Sequence, residues 1–186
     1  MPEWVQQVLP KTKIDDLVFS KYEKQLLKKI VEQFRALKKP GFDLDHDRKK
    51  GVKTLFSGTN QIGKTLAAEV LANELQLELF RIDLSALISK YNGETEKNLR
   101  SIFEAADKGG DILFFDEADA LFGKRTEVSN SHNRYRNIDV NILLEKMEEF
   151  RVLCILATDK EKCIDAASMR RFNFIVNFPF HKDPPK

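Results

Sequence analysis

The 186 residues carry 31 Lys and Arg against 29 Asp and Glu, a formal net charge of +2, with 42% apolar and 32% charged side chains. That balance describes one globular domain: 14 Phe with many Leu and Ile exclude disorder as the dominant state, because so much apolar surface does not stay solvated. A membrane-spanning helix is excluded too, since the longest unbroken apolar run, Val152–Ala157, is far below the roughly 18 residues that one requires.

In chain order, Met1–Pro10 places Glu3, Gln6 and Gln7 where a secretion signal needs an apolar stretch, so a cytoplasmic protein is expected. Residues 1–14 read as an N-terminal extension, 15–180 as the folded domain and 181–186 as a tail. Residues 22–38 put Leu26, Leu27, Ile30, Val31, Phe34 and Leu37 on one face at helical spacing, with Lys and Glu opposite. Pro40-Gly41 ends that helix, and Asp43–Lys50 reads as a loop. Short apolar runs then alternate with helical patterns. Strands are expected at Val52–Ser57, Leu79–Asp83, Ile112–Phe115, Val152–Ala157 and Phe174–Phe178, and helices at Thr65–Leu75, Thr95–Ala106 and Ile138–Phe150. The polar stretch Gly123–Asn137 has no periodicity and reads as a loop. Apolar strands without strict polar alternation are covered on both faces, which predicts an α/β fold: a three-layer αβα domain with a mostly parallel five-stranded sheet.

Cys154 and Cys163 fit no metal-binding spacing and read as reduced thiols, and His46, His132 and His181 are scattered without partners for a metal centre. Lys38-Lys39 and Arg48-Lys49-Lys50 lack the interleaved aromatics of a nucleic-acid groove and read as solvated surface.

One motif carries strong chemistry. Gly58-Thr59-Asn60-Gln61-Ile62-Gly63-Lys64-Thr65 fits the phosphate-loop pattern G-x-x-x-x-G-K-[ST] between an expected strand and an expected helix. Such a loop aims successive backbone N–H groups at one point, where they cradle phosphate oxygens. Gly58 and Gly63 permit the close approach, Lys64 brings a positive charge to the terminal phosphates, and the Thr65 hydroxyl is suited to ligate Mg²⁺.

The stretch Asp111–Glu117 reads as a buried strand ending in two acids. In a parallel sheet it would open on the same edge as the phosphate loop. Asp116 is expected to hold Mg²⁺, and Glu117 to polarise the water that attacks a γ-phosphate.

These residues resemble the AAA ATPases of the AAA+ superfamily. Gly58–Thr65 looks like the family's Walker A and Ile112–Glu117 like its Walker B within a P-loop NTPase domain. Ser89–Asn98 is similar to the stretch bearing the central-pore loop, Cys154–Asp159 to the strand leading to sensor 1, and Ile164–Phe172 to the arginine-finger segment. More loosely, the chain is similar to the AAA proteins that accompany bacterial phage-tail-like injection systems. The resemblance implies ATP as the nucleotide, ATP hydrolysis, and a hexameric ring. It further implies that Arg170 reaches a neighbouring subunit's site and that Tyr91 grips a protein substrate in the channel.

Four departures temper that picture. Gln61 stands where the family usually has glycine, at a cost on the order of 1 kcal/mol if φ there is positive. Asp159 replaces the sensor-1 asparagine, and an ionised carboxylate accepts hydrogen bonds but donates none. Asn92 follows the pore aromatic where an apolar residue is usual, and Asn173 falls where a second arginine finger is expected, with Arg171 as its substitute. The family continues into a helical lid where this sequence ends at Lys186, which predicts weaker nucleotide binding and poor ring assembly. Two functions stay open: an ATPase that remodels a protein partner, and a catalytically weak nucleotide-gated switch or interaction module. A small-molecule kinase is a third and would need an acceptor pocket.

Overall fold

The computed structural model describes residues 2–38, 51–90, 94–121 and 141–179. Its elements are β1 (Val5–Val8), α1 (Lys21–Leu37), β2 (Val52–Ser57), α2 (Gln61–Leu75), β3 (Leu79–Asp83) and α3 (Leu84–Lys90). They continue with α4 (Thr95–Gly109), β4 (Ile112–Asp116), α5 (141–149), β5 (Leu153–Ala157), α6 (Ala166–Met169) and β6 (Phe174–Asn177). Among the described residues six strands form one sheet, in the order β1-β3-β4-β5-β2-β6. All neighbours pair in parallel except β1, which runs antiparallel along β3 with Val5 opposite Ile82 and Val8 opposite Leu79.

The expected five strands are therefore joined by a sixth. Its sequence, Val5-Gln6-Gln7-Val8, hides it: Val5 packs against one face of the sheet and Val8 against the other, so no period-2 apolar stripe is written. Long-range contacts hold it instead. The Asp83 amide donates to the Trp4 carbonyl at 3.0 Å, and the Trp4 side chain is buried against the sheet.

Two apolar cores flank the sheet. Leu113 and Phe115 of β4 face Phe103 of α4 and Met147 of α5, whereas Ile112 and Phe114 face Ile30 and Phe34 of α1 and Leu71 of α2. Both faces of the central strands are thus apolar, and each large side chain buried there contributes about 1.5–3 kcal/mol. Helix α1 begins at a reciprocal cap: the Glu23 amide donates to Ser20 Oγ at 3.3 Å and the Ser20 amide donates to the Glu23 carboxylate at 2.7 Å.

This packing creates a crevice. In register, Asp83 lies beside Asp116, and Phe56 beside Ala157, so the carboxyl ends of β3, β4, β5 and β2 share one edge. The chain leaves β2 for α2 and re-enters the sheet at β3, on the far side of β5 and β4. That jump leaves an opening at the edge, the usual ligand position in such sheets.

Candidate functional site

The loop from Gly58 to Thr65 spans this opening. Gly58 takes φ +106°, and a Cβ there would sit 2.4 Å from the Phe178 carbonyl oxygen, so a side chain is excluded twice over. Phe178 pins the loop from outside: its carbonyl accepts from the Asn60 amide at 3.1 Å, and its own amide donates to the Ser57 carbonyl at 2.7 Å. Its ring packs on Phe56 and Phe19 at centroid distances of 5.0 and 5.1 Å. Asn60 caps α2, accepting from the Gly63 amide at 2.9 Å, and the helix starts at Gln61 rather than at the expected Thr65. Gly63 allows that cap, since a Cβ there would meet the Asn60 side chain at 2.9 Å. Thr59, Gln61 and Ile62 are exposed, while Thr65 is half-buried and its hydroxyl donates to the Gln61 carbonyl at 3.3 Å.

Lys64 is almost fully buried. Burial pushes its amine below the ordinary lysine range, and the carboxylates of Asp159, Asp119 and Asp116 act in the opposite direction. A cation buried in the first turn of a helix that follows a glycine-bearing loop is suited to an anion.

Gln61 corrects an expectation. It is not among the described residues with positive φ, so the anticipated strain is absent. Its side chain instead crosses to the acidic edge, where Nε2 donates to Asp116 Oδ1 at 2.6 Å. Asp116 ends β4 almost fully buried, and Arg81 of β3 donates to its Oδ2 from Nε at 2.9 Å and from Nη2 at 2.5 Å. The Glu117 amide donates to Asp116 Oδ1 at 2.9 Å. Glu117 itself is exposed and takes φ +53°, a left-handed turn that few side chains adopt and that is often found at functional sites.

This geometry, a capped phosphate loop facing a strand that ends in Asp-Glu, agrees with the comparisons. Residues 54–180 match the sequence profile of the ATPase family associated with various cellular activities. The chain belongs to the AAA family. It is 39% identical over 182 residues to an uncharacterized AAA family ATPase, y4kL, of Sinorhizobium fredii, covering 95% of this chain and 52% of that protein. It is 34% identical over 176 residues to a cell division cycle protein 48 homolog of Archaeoglobus fulgidus, covering 92% and 24%. The chain thus spans about half of the first relative's length and a quarter of the second's. Among solved structures, the FIGL-1 AAA domain in complex with ADP superposes with a TM-score of 0.69 at 26% identity, over 96% of this chain and 59% of that one.

In this AAA domain a cleft of 580 Å³ opens over the loop, bordered by Gln61, Arg81, Glu117, Asp119, Asp159 and Lys160. Asp159 is exposed and lies against Asp119, which also accepts from the Thr158 hydroxyl. Burial raises the Asp119 carboxyl above its ordinary range, whereas a hydrogen bond from Asp119 lowers Asp159. The two carboxyls therefore differ in proton affinity, Asp119 being the weaker acid of the two.

Toward the far end, Asp165 caps α6 and the chain turns at Arg170 and Arg171. Arg170 is exposed; Arg171 donates from Nε to Glu148 at 3.0 Å, so the substitute second finger is engaged within its own domain. Tyr91, Asn92 and the three histidines lie outside the described residues. Cys154 is buried, which pushes its thiol up, and Cys163 is exposed; both are free. No described helix is long and apolar enough to cross a membrane.

The structure lines one cleft with Gln61, Glu117 and Asp159, sets the buried Lys64 and Asp116 behind it, and leaves Arg170 on the surface. Sequence reasoning missed Arg81, Asp119 and Phe178. Arg81 did leave a signal, being a charged residue inside the otherwise apolar run Leu79–Ile82 of a strand.

Proposed function

We propose that this AAA domain binds ATP with Mg²⁺ and hydrolyses it, as a cytoplasmic subunit of a ring that remodels a protein partner. The observation that carries the reading is the 2.6 Å hydrogen bond from Gln61 to Asp116, which brings the acid within one side chain of the phosphate loop. Loop amides and Lys64 bind the phosphates. Asp116 and Thr65 would hold Mg²⁺: a carboxylate and a hydroxyl are the hard oxygen donors it prefers, and the Arg81 guanidinium already places a positive charge at this carboxylate. Bound there, the ion would supply positive charge that neutralises phosphate oxygens. Glu117, exposed beside the cleft, orients the attacking water and takes its proton. Asp159, which lines the cleft, takes the sensor position on the side that the γ-phosphate would occupy. Arg170 serves a neighbouring subunit's site, a role its exposure supports, and Tyr91 contacts the protein substrate. The ADP complex of the FIGL-1 AAA domain supports nucleotide binding. The sequence likeness to AAA proteins of phage-tail-like injection systems makes such an assembly the first partner class to try.

Replacing Glu117 with Gln tests the mechanism. Phosphate release at high protein concentration should fall by about 100-fold or more while nucleotide binding is kept. Equal release by both proteins would remove Glu117 from the reaction.

A second reading, a nucleotide-gated switch with little turnover, is favoured by the Asp119–Asp159 pair, which adds negative charge where a γ-phosphate must approach. Stoichiometric nucleotide binding without steady-state phosphate release would select it.

A further inference from the structure

The carboxylate of Asp116 is saturated. A carboxylate offers about four acceptor positions, and here four donors fill them: Arg81 Nε and Nη2 on Oδ2, Gln61 Nε2 and the Glu117 amide on Oδ1. A metal's water ligand is itself a donor and finds no open lone pair. Three of the four donors sit on two side chains that can leave. The Arg81 side chain is 41% exposed and Gln61 is exposed, whereas Asp116 is buried and the Glu117 amide is backbone.

From this geometry we infer that Gln61 and Arg81 form a clamp on Asp116 that competes with the metal, so that Mg²⁺ engages the site only by displacing them. The inference rests on the reading of Asp116 as the metal-holding acid. The clamp neutralises a carboxylate that would otherwise be buried uncompensated, and so stabilises the fold around it. Its release has somewhere to go. Arg81 borders the cleft over the loop and also a smaller cavity of 210 Å³ beside β1, which Gln6 and Asp83 line as well. Because Gln61 belongs to the phosphate loop itself, metal arrival at Asp116 and rearrangement of the loop are mechanically joined. Gln61 and Arg81 are positioning residues here, acting on the metal through Asp116.

The test measures metal directly. Mn²⁺ is titrated at about pH 7.5 into the protein–ADP complex with protein in excess over nucleotide, and bound metal is read by electron paramagnetic resonance. Arg81→Ala and Gln61→Gly should each lower the half-saturating Mn²⁺ concentration by about five- to thirtyfold, since each removes a strong donor that the metal must otherwise displace. Arg81→Lys, keeping the charge but losing the fork, should fall between. Asp116→Asn should raise the half-saturating concentration at least tenfold. If Asp116→Asn has that effect but Arg81→Ala and Gln61→Gly change nothing, the clamp is refuted and the metal reading stands. If Arg81→Ala weakens metal binding, Arg81 is a ligand of the bound state and the clamp is likewise overturned. If Asp116→Asn has no effect, the metal reading fails and takes the clamp with it. Gln61→Gly, at an exposed position, carries the same test should Arg81→Ala not fold.

Discussion

The phosphate loop and the acidic edge facing it are assembled on different length scales. In the loop, Asn60 caps the amide of Gly63, Gly58 supplies the left-handed turn, and Lys64 follows directly, so eight consecutive residues carry most of the arrangement. The acidic edge draws Arg81 from β3, Gln61 from α2, Asp116 from β4 and Thr158 from the end of β5, and its charges answer one another. A loop assembled from consecutive residues takes its shape with few distant partners. Edges assembled from distant strands can hold a resting state that a ligand has to undo.

The largest expected effect would come from the locally built half. Lys64→Met should reduce nucleotide affinity on the order of 100-fold, measured by calorimetry, because a buried cation contacting phosphate is worth a few kcal/mol. Burial holds the Lys64 amine below its usual range, so the charge is a cost to the empty fold. The same variant should therefore melt no lower than the parent without nucleotide. A variant that binds normally, or melts far lower, would break the picture of a cradle organised for anions at the expense of stability.

Gly58→Ala comes next. It adds a Cβ to a residue at φ +106°, 2.4 Å from the Phe178 carbonyl, and should cost about 1–3 kcal/mol in chemical denaturation along with weaker nucleotide binding. Loss of stability without loss of binding would mean that the loop re-forms around Phe178 in a second conformation.

The smallest effect belongs to the acid pair and is a change in pH dependence. Asp119 titrates above its ordinary value in the folded protein, so it contributes stability that is present below the unfolded value of 3.8 and lost as pH rises through the raised one. Asp159 is lowered, and its contribution is present above 3.8 and lost as pH falls through the lowered value. Asp119→Asn should flatten the stability curve on the side above the ordinary carboxylate range, as read by thermal unfolding across pH. An unchanged slope there would mean that Asp119 does not set the pH dependence of this edge.

Much of the fold was legible because it is written in repeating patterns. The apolar runs of β2, β4 and β5 announce strands covered on both faces, those of β3 and β6 announce strands flanking them, and the phosphate loop announces itself through a contiguous motif. Strand β1 was not legible, because its two valines face opposite sides of the sheet and Trp4 finds its place only beside β3. Gln61 was read as a strained replacement for glycine, since its backbone position could be judged from the motif but the reach of its side chain could not.

By itself the sequence determined the alternating αβ order, the loop with its buried lysine, and the Asp-Glu end of β4, because each depends on residues close along the chain. Which donors occupy Asp116, which acid of the Asp119–Asp159 pair is the weaker, and that Arg171 is tied to Glu148 were decided only by the tertiary structure. The bonds involved bridge 55 positions from Gln61 to Asp116, 35 from Arg81 to Asp116 and 23 from Arg171 to Glu148. No local propensity reaches that far, so such pairings exist only once parallel strands have been brought into register.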